Sequence, residues 1–228
     1  MSLTLHYAPD NASLIVRLAL EHMGQDYRTC LVDRAARAQE GAAYRALNPH
    51  GLIPTLETPD GPIFETAAIL LWLDERSPGT LGPEPGAPGR GHHLKWLVFL
   101  ANTLHPALRM SFYPDKYCPG HEAALRAHMQ AETRRHFGAV ETAAKGPFFG
   151  GDAPSAIDFY LGPLIRWAAL YPRARPGDLD LGAFPRLAGL CRALEALAPV
   201  QRVLAAEGMT PSAFTAPELP VPPEGSAT

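Results

Sequence analysis

The chain has 228 residues, 46% of them apolar, and a formal net charge of −3, which allows one large domain or two small ones with an ample core. That charge excludes the basic excess a nucleic-acid or membrane-surface binder carries, and no apolar run approaches the roughly 18 residues of a membrane helix. The start, MSLTLHYAPD, lacks the pattern of a signal peptide, and Cys30, Cys118 and Cys191 read as buried thiols of a reducing compartment, the cytoplasm.

In chain order, Leu3, Leu5 and Tyr7 share one face of a first strand. It runs into YAPDNASL and then a predicted helix over Ser13–Met23, where Leu14/Leu18 and Ile15/Ala19 recur at i,i+4 and Gly24 ends the pattern. Tyr27–Val32 reads as a second strand, which makes a parallel βαβ unit. An Ala-rich helix is expected over Arg37–Leu47, stopping before Asn48-Pro49. Leu52–Glu57 is a third strand, and Pro59-Asp60-Gly61 turns it into an antiparallel return at Pro62-Ile63-Phe64. Glu65-Thr66 then opens the helix AAILLWLDER, completing the order βαβαββα.

SPGTLGPEPGAPGRG, residues 77–91, has nine prolines and glycines in fifteen positions and reads as a linker. Every periodic segment beyond it is helical: His92–Met110, Gly120–Ala144, Ser155–Leu170 and Pro185–Glu207. Ser155-Ala-Ile-Asp158 fits a capping box, with Pro154 and Phe159 as its staple. The domains expected are an α/β domain over 1–76, the linker, an all-helical domain over 92–209, and a Pro-rich tail over 210–228, extended or disordered.

Pro54 stands inside what otherwise reads as a core strand, where a residue without an N–H is normally rejected. An edge position or bulge is one reading. The other is a cis Ile53–Pro54 bond that presents the backbone of Ile53 to a peptide-like ligand. At the helix start beyond the hairpin, free N–H groups and the positive dipole end suit a carboxylate. The Thr66 hydroxyl adds a donor and Glu65 suits an ammonium. Together they suit a zwitterionic amino-acid head.

NPHGLIPTLETPDGPIFETAAILLWLDE resembles the glutathione-binding core of cytosolic glutathione transferases, and GDAPSAIDF resembles the capping-box segment of their helical domain. The resemblance covers the chain to about residue 209. It implies a thioredoxin-like domain joined to a helical one, a cis Pro54, Ile53 pairing with the cysteinyl unit of glutathione, and Glu65 and Thr66 holding its γ-glutamyl head. It also implies glutathione as co-substrate, a small electrophile as second substrate, a homodimer, and no metal, redox cofactor, nucleic acid or membrane.

Such chemistry needs a thiolate, and a free thiol near pKa ~8.5 is only a few per cent ionised at neutral pH. Lowering its pKa by about two units requires roughly 2.7 kcal/mol of preferential thiolate stabilisation. The bacterial beta-class pattern YxPxxCSL maps onto Tyr7–Leu14 with Ala12 in the cysteine position. Three residues of this stretch remain candidates for holding sulfur. Ser13 has the hydroxyl, and SLIVR resembles the theta-class serine-to-arginine spacing; its alternative is a plain N-cap. Asn11 offers amide donors or is a turn residue. Tyr7 points from the strand end or belongs to the core. Asp10 is expected to face solvent.

Asn102–Leu108 resembles the beta-class SELHKxF segment, which makes His105 a donor toward sulfur; the lysine of that pattern is Pro106 here. Arg109, Phe112 and Tyr113 are candidate lining of an electrophile pocket. His92, His93, His121 and His128 are expected on solvated faces. Isomerase, dehalogenase or peroxidase chemistry on the same fold, or a non-catalytic interaction module, are the alternatives to conjugation.

Overall fold

The computed structural model describes residues 3–172 and 179–227. Met1, Ser2 and Thr228, which belong to segments read above, lie outside the described residues. The chain forms two compact units. One comprises Met1–Pro85 with Glu195–Ala213 and Glu218–Thr228; the other comprises Gly86–Leu194 with Phe214–Pro217.

In the first unit the elements are β1 (Leu3–Tyr7), α1 (Ser13–Met23), β2 (Tyr27–Leu31), α2 (Ala42–Arg45), β3 (Thr55–Thr58), β4 (Gly61–Phe64) and α3 (Thr66–Arg76). The sheet order is β2-β1-β3-β4, with β1/β2 parallel and β1/β3 and β3/β4 antiparallel. This is the βαβαββα order read from the sequence. Leu14, Ile15, Leu18 and Ala19 of α1 are fully buried, as is Leu5 of β1, so the period-3.6 and period-2 patterns meet in one core.

Two local expectations are corrected. The helix over 37–47 is broken: a 3₁₀ turn at Ala38–Glu40 is separated from α2 by Gly41 in extended conformation, so alanine propensity did not carry across the glycine. The third strand starts at Thr55, beyond Pro54, because pairing with β1 begins there.

The second unit holds α4 (Arg90–Phe99), a π-helical turn at Leu100–Leu104, α5 (His105–Phe112), α6 (Pro114–Tyr117), α7 (Glu122–Ala143), α8 (Ala156–Leu170) and α9 (Pro185–Glu195). The capping box is present on α8. Asp158 Oδ2 accepts from the Ser155 N–H at 2.8 Å and from the Ser155 hydroxyl at 2.7 Å, and Oδ1 accepts from the Phe149 N–H at 2.6 Å.

The helix expected over Pro185–Glu207 is two: α10 (Ala198–Ala206) follows α9 after a break, with Pro at its start. α10 groups with the first unit and packs on α1. The boundary of the helical unit therefore differs from 92–209. The expected tail, extended or disordered, carries no helix or strand over 210–227, and its segment from Glu218 groups with the first unit. Cys191 is buried but Cys30 is exposed, and His93 is buried rather than solvated. Among the described residues no helix is long and apolar enough to cross a membrane.

Candidate functional site

The sheet register brings the sequence candidates to one end of the first unit. Tyr7 pairs with Leu31, His6 with Thr55, and Thr55 with Phe64. Pro54 immediately precedes Thr55 and Glu65 immediately follows Phe64 at this same end of the sheet. The edge therefore runs Leu31, Tyr7, Pro54, Glu65, from four different strands or their immediate extensions. Local sequence signals alone do not produce that order; the crossover of α1 and the β3/β4 hairpin do.

The Ile53–Pro54 bond is cis. The preceding carbonyl, that of Leu52, accepts two hydrogen bonds, from the Tyr44 hydroxyl at 2.7 Å and from Asn48 Nδ2 at 2.7 Å. The same Tyr44 hydroxyl lies 3.0 Å from Thr55 Oγ1, so one buried phenol braces both flanks of Ile53-Pro54. Burial pushes the Tyr44 phenol up to about 12, which keeps it a donor. Gly51 has φ +62, and a Cβ there would stand 2.7 Å from the Gln39 carbonyl oxygen. The NPHG turn therefore requires glycine. Sequence reasoning missed Tyr44 and gave Asn48 no role beyond a helix stop and a place in the NPHGLIPTL stretch. Nothing local marks either residue, because their partner is a backbone carbonyl eight and four positions away.

α3 starts with no side chain capping its first turn. Glu65 precedes it at φ 72, exposed, and Thr66 is 93% buried at the first helical position. A non-glycine residue held at positive φ costs about 1–3 kcal/mol, and such residues cluster at ligand sites. The first-turn N–H groups and dipole of α3 make this end attractive to a carboxylate.

In YAPDNASL, Ser13 is fully buried; its hydroxyl donates to the Ala8 carbonyl at 3.1 Å and accepts the Ala8 N–H at 3.3 Å. It is neither an N-cap nor an open donor: the N-cap position is Ala12, which has no side-chain cap. Asn11 Oδ1 accepts the Ala12 N–H at 2.7 Å, which leaves the amide NH2 as the group's remaining donor. Tyr7 is buried, the Arg17 guanidinium lies 5.2 Å from its ring centroid, and its hydroxyl donates to Glu224. Burial, with Glu224, pushes the Tyr7 phenol well above its ordinary range.

Asp10, expected at the solvent, is 95% buried with φ 49. Its N–H donates to Glu207 Oε2 at 2.9 Å, while Glu207 Oε1 accepts from Arg17 at 3.3 Å. Glu207 is fully buried, and burial pushes its carboxyl up to about 7. It lies just past α10, nearly 200 residues along the chain, where no sequence signal ties it to this turn.

In the second unit, His105 opens α5 after the π-helical turn, an irregularity often found at functional positions. Its Nδ1 lies 3.0 Å from the Tyr160 hydroxyl, and its ring centroid is 5.6 Å from that of Trp167. Burial, with Arg109, pushes the imidazole down to about 4, so it is neutral near pH 7. Arg109 donates to the Tyr117 hydroxyl, Lys116 lies over Tyr113, and Phe112 meets Tyr171 edge-on. Among the described residues no group of three or more His, Cys, Asp or Glu side chains is placed to hold a metal.

The sheet of order β2-β1-β3-β4 with a cis-proline before β3 and α3 following β4 defines a thioredoxin-like domain, accompanied by a helical unit. Residues 12–76 match the glutathione S-transferase N-terminal domain and residues 123–193 the glutathione S-transferase C-terminal domain. A maleylacetoacetate isomerase of Rhizobium meliloti is 30% identical over 86% of this chain and 92% of its own length. A glutathione S-transferase of Xanthomonas campestris is 28% identical over 90% of this chain and 98% of its own. A glutathione transferase homologue from Sulfitobacter, solved with bound glutathione, superposes with a TM-score of 0.80 at 25% identity, covering 92% of this chain and 99% of that one. The chain belongs to the glutathione S-transferase family.

Proposed function

We propose that this chain binds glutathione at the Tyr7–Pro54–Glu65 end of its sheet, ionises the thiol and presents it to a small electrophile. The observation that carries the reading is the α3 start. Its first-turn N–H groups have no side-chain cap, and Glu65, just before it, is held at positive φ. In this reading the α3 N–H groups and Thr66 take the γ-glutamyl carboxylate, and Glu65 takes its ammonium. The Ile53 backbone takes the cysteinyl unit.

Sulfur is held by the Asn11 amide NH2 and the Tyr7 hydroxyl, with the α1 dipole assisting. Ser13 shapes the turn and does not touch sulfur, because both of its hydrogen-bonding roles are spent on Ala8. His105 is a neutral donor of the helical unit, oriented through Nδ1 by Tyr160. The assembly we expect is a cytoplasmic homodimer.

Retention on immobilised glutathione, with release by free glutathione, tests binding; no retention of either the full chain or its Glu224→Ala variant overturns the reading. Activity is tested by conjugation of a chloronitrobenzene. A second reading, cis–trans isomerisation with glutathione regenerated, is favoured by the R. meliloti relative, named maleylacetoacetate isomerase. Turnover of maleylacetoacetate without loss of glutathione selects it. Asn11→Ala is expected to raise the pKa of bound glutathione by about 1–2 units, read as thiolate absorbance against pH; an unchanged pKa removes Asn11 from the role.

A further inference from the structure

The Pro-rich segment beginning at Glu218 lies on the same sheet end as the site above, and it is fitted there at four points. The Val221 N–H donates to the Gly208 carbonyl at 2.8 Å, just beyond α10. The Glu224 carboxylate accepts the hydrogen bond of the Tyr7 hydroxyl. Gly225, at φ +70, lies so close to β2 that a Cβ would stand 2.7 Å from Leu31 Cδ1 and 3.3 Å from Pro9 Cδ. The Arg34 guanidinium donates to the Ala227 carbonyl, and Ala227 is 97% buried. Pro220, Pro222 and Pro223 lower the conformational entropy lost on docking.

The hydroxyl of Tyr7 has one proton to donate. While a carboxylate of the same chain accepts it, the hydroxyl does not donate to a thiolate. Glu224 is thus an anion seated where the proposed reading places the sulfur of glutathione, in a neighbourhood that includes the Arg17 guanidinium over the Tyr7 ring. A tethered ligand competes at an effective concentration in the millimolar range.

We propose that residues 218–227 form an autoinhibitory strap whose Glu224 carboxylate competes with the glutathione thiolate for Tyr7. This rests on the glutathione-binding reading. A strap docked about ten times out of eleven weakens the apparent affinity for glutathione roughly tenfold relative to a chain without it.

The test compares three proteins by calorimetric titration with glutathione: the full chain, the Glu224→Ala variant, and a chain ended after Pro217. Both altered chains are expected to bind about tenfold more tightly. A synthetic peptide of residues 218–228 is expected to inhibit the shortened chain competitively against glutathione. Equal or weaker binding by both altered chains overturns the strap while leaving the glutathione reading intact. Binding by the altered chains alone supports both, and no binding by any of the three overturns both. If circular dichroism shows the shortened chain unfolded, Glu224→Ala decides. Hydrogen exchange at the Val221 N–H provides a second readout in the full chain: exchange accelerated by saturating glutathione supports the strap, and unchanged protection overturns it.

Discussion

The Ser13 hydroxyl and the Ala8 peptide unit exchange two hydrogen bonds, Oγ donating to the carbonyl at 3.1 Å and accepting from the N–H at 3.3 Å. They close the loop between β1 and α1 and set the path of Pro9, Asp10 and Asn11. Ser13→Ala leaves two buried backbone groups without that partner, so a loss of about 1–3 kcal/mol of stability is expected in a denaturant midpoint. The absorbance pKa of bound glutathione is expected to stay where it is. A thiol pKa raised by a unit or more in this variant would return Ser13 to the sulfur.

The Leu52 carbonyl, braced by Tyr44 and Asn48, sets the approach to Ile53. Tyr44→Phe removes one of its donors and the Thr55 contact, at a cost of about 1 kcal/mol. Asn48→Ala removes the other. Each is expected to weaken glutathione binding roughly five- to tenfold, equivalent to about 1–1.4 kcal/mol, by titration. An unchanged dissociation constant in both would show that the brace is not needed for binding.

Glu207 carries a pH dependence with a definite sign. Its folded-state carboxyl, at about 7, lies above the ordinary value of 4.5. Its stabilising share is therefore complete below about pH 4.5 and is lost as pH rises through about 7. Glu207→Gln does not titrate. The stability advantage of the parent chain over this variant is expected to shrink by on the order of 1–3 kcal/mol between pH 5 and 8. Thermal midpoints of the two proteins across that range measure it, and a growing advantage would refute the sign. Arg17 is the cation paired with Glu207, and Asp10, through its N–H, is the acid beside it.

His105 has the opposite sign. With its imidazole pushed down to about 4, the stability it contributes is present above about pH 6.5 and is lost as pH falls through about 4. Its ring C–H resonance in NMR is expected to titrate with a midpoint near 4. A midpoint near 6.5 would mean an open, solvated ring.

The elements of the first unit were legible because the patterns were strong and local. Leu14, Ile15, Leu18 and Ala19 repeat with the helical period and are all fully buried. Pro54 announced an irregularity by its residue type alone, and Ser155/Asp158 form the cap their spacing predicts. Legibility failed where the outcome depended on a distant partner or on the exact path of the backbone through a turn. Asp10 looked like a solvent-facing acid, yet Glu207 and the turn bury it. Ser13 looked like a donor waiting for a ligand, yet its hydroxyl is already satisfied by Ala8. The Pro-rich segment read as extended or disordered because its composition has little to build a core from; where it would rest was not legible, since a ready-made surface needs only a few contacts to hold it.

Residue type and periodicity thus settle which segments are strands and helices, where the ligand-shaped irregularities fall, and which family's core they resemble, because those features depend on neighbours a few positions away. Which polar group remains open to a ligand is a different question. It depends on the competition of every donor and acceptor brought together by folding, and in YAPDNASL that competition involves Glu207 and Glu224 from the far end of the chain. Burial makes each of those pairings costly to leave unmade, so three-dimensional proximity rather than local sequence assigns Ser13 to the turn, Asp10 to Glu207 and Tyr7 to Glu224.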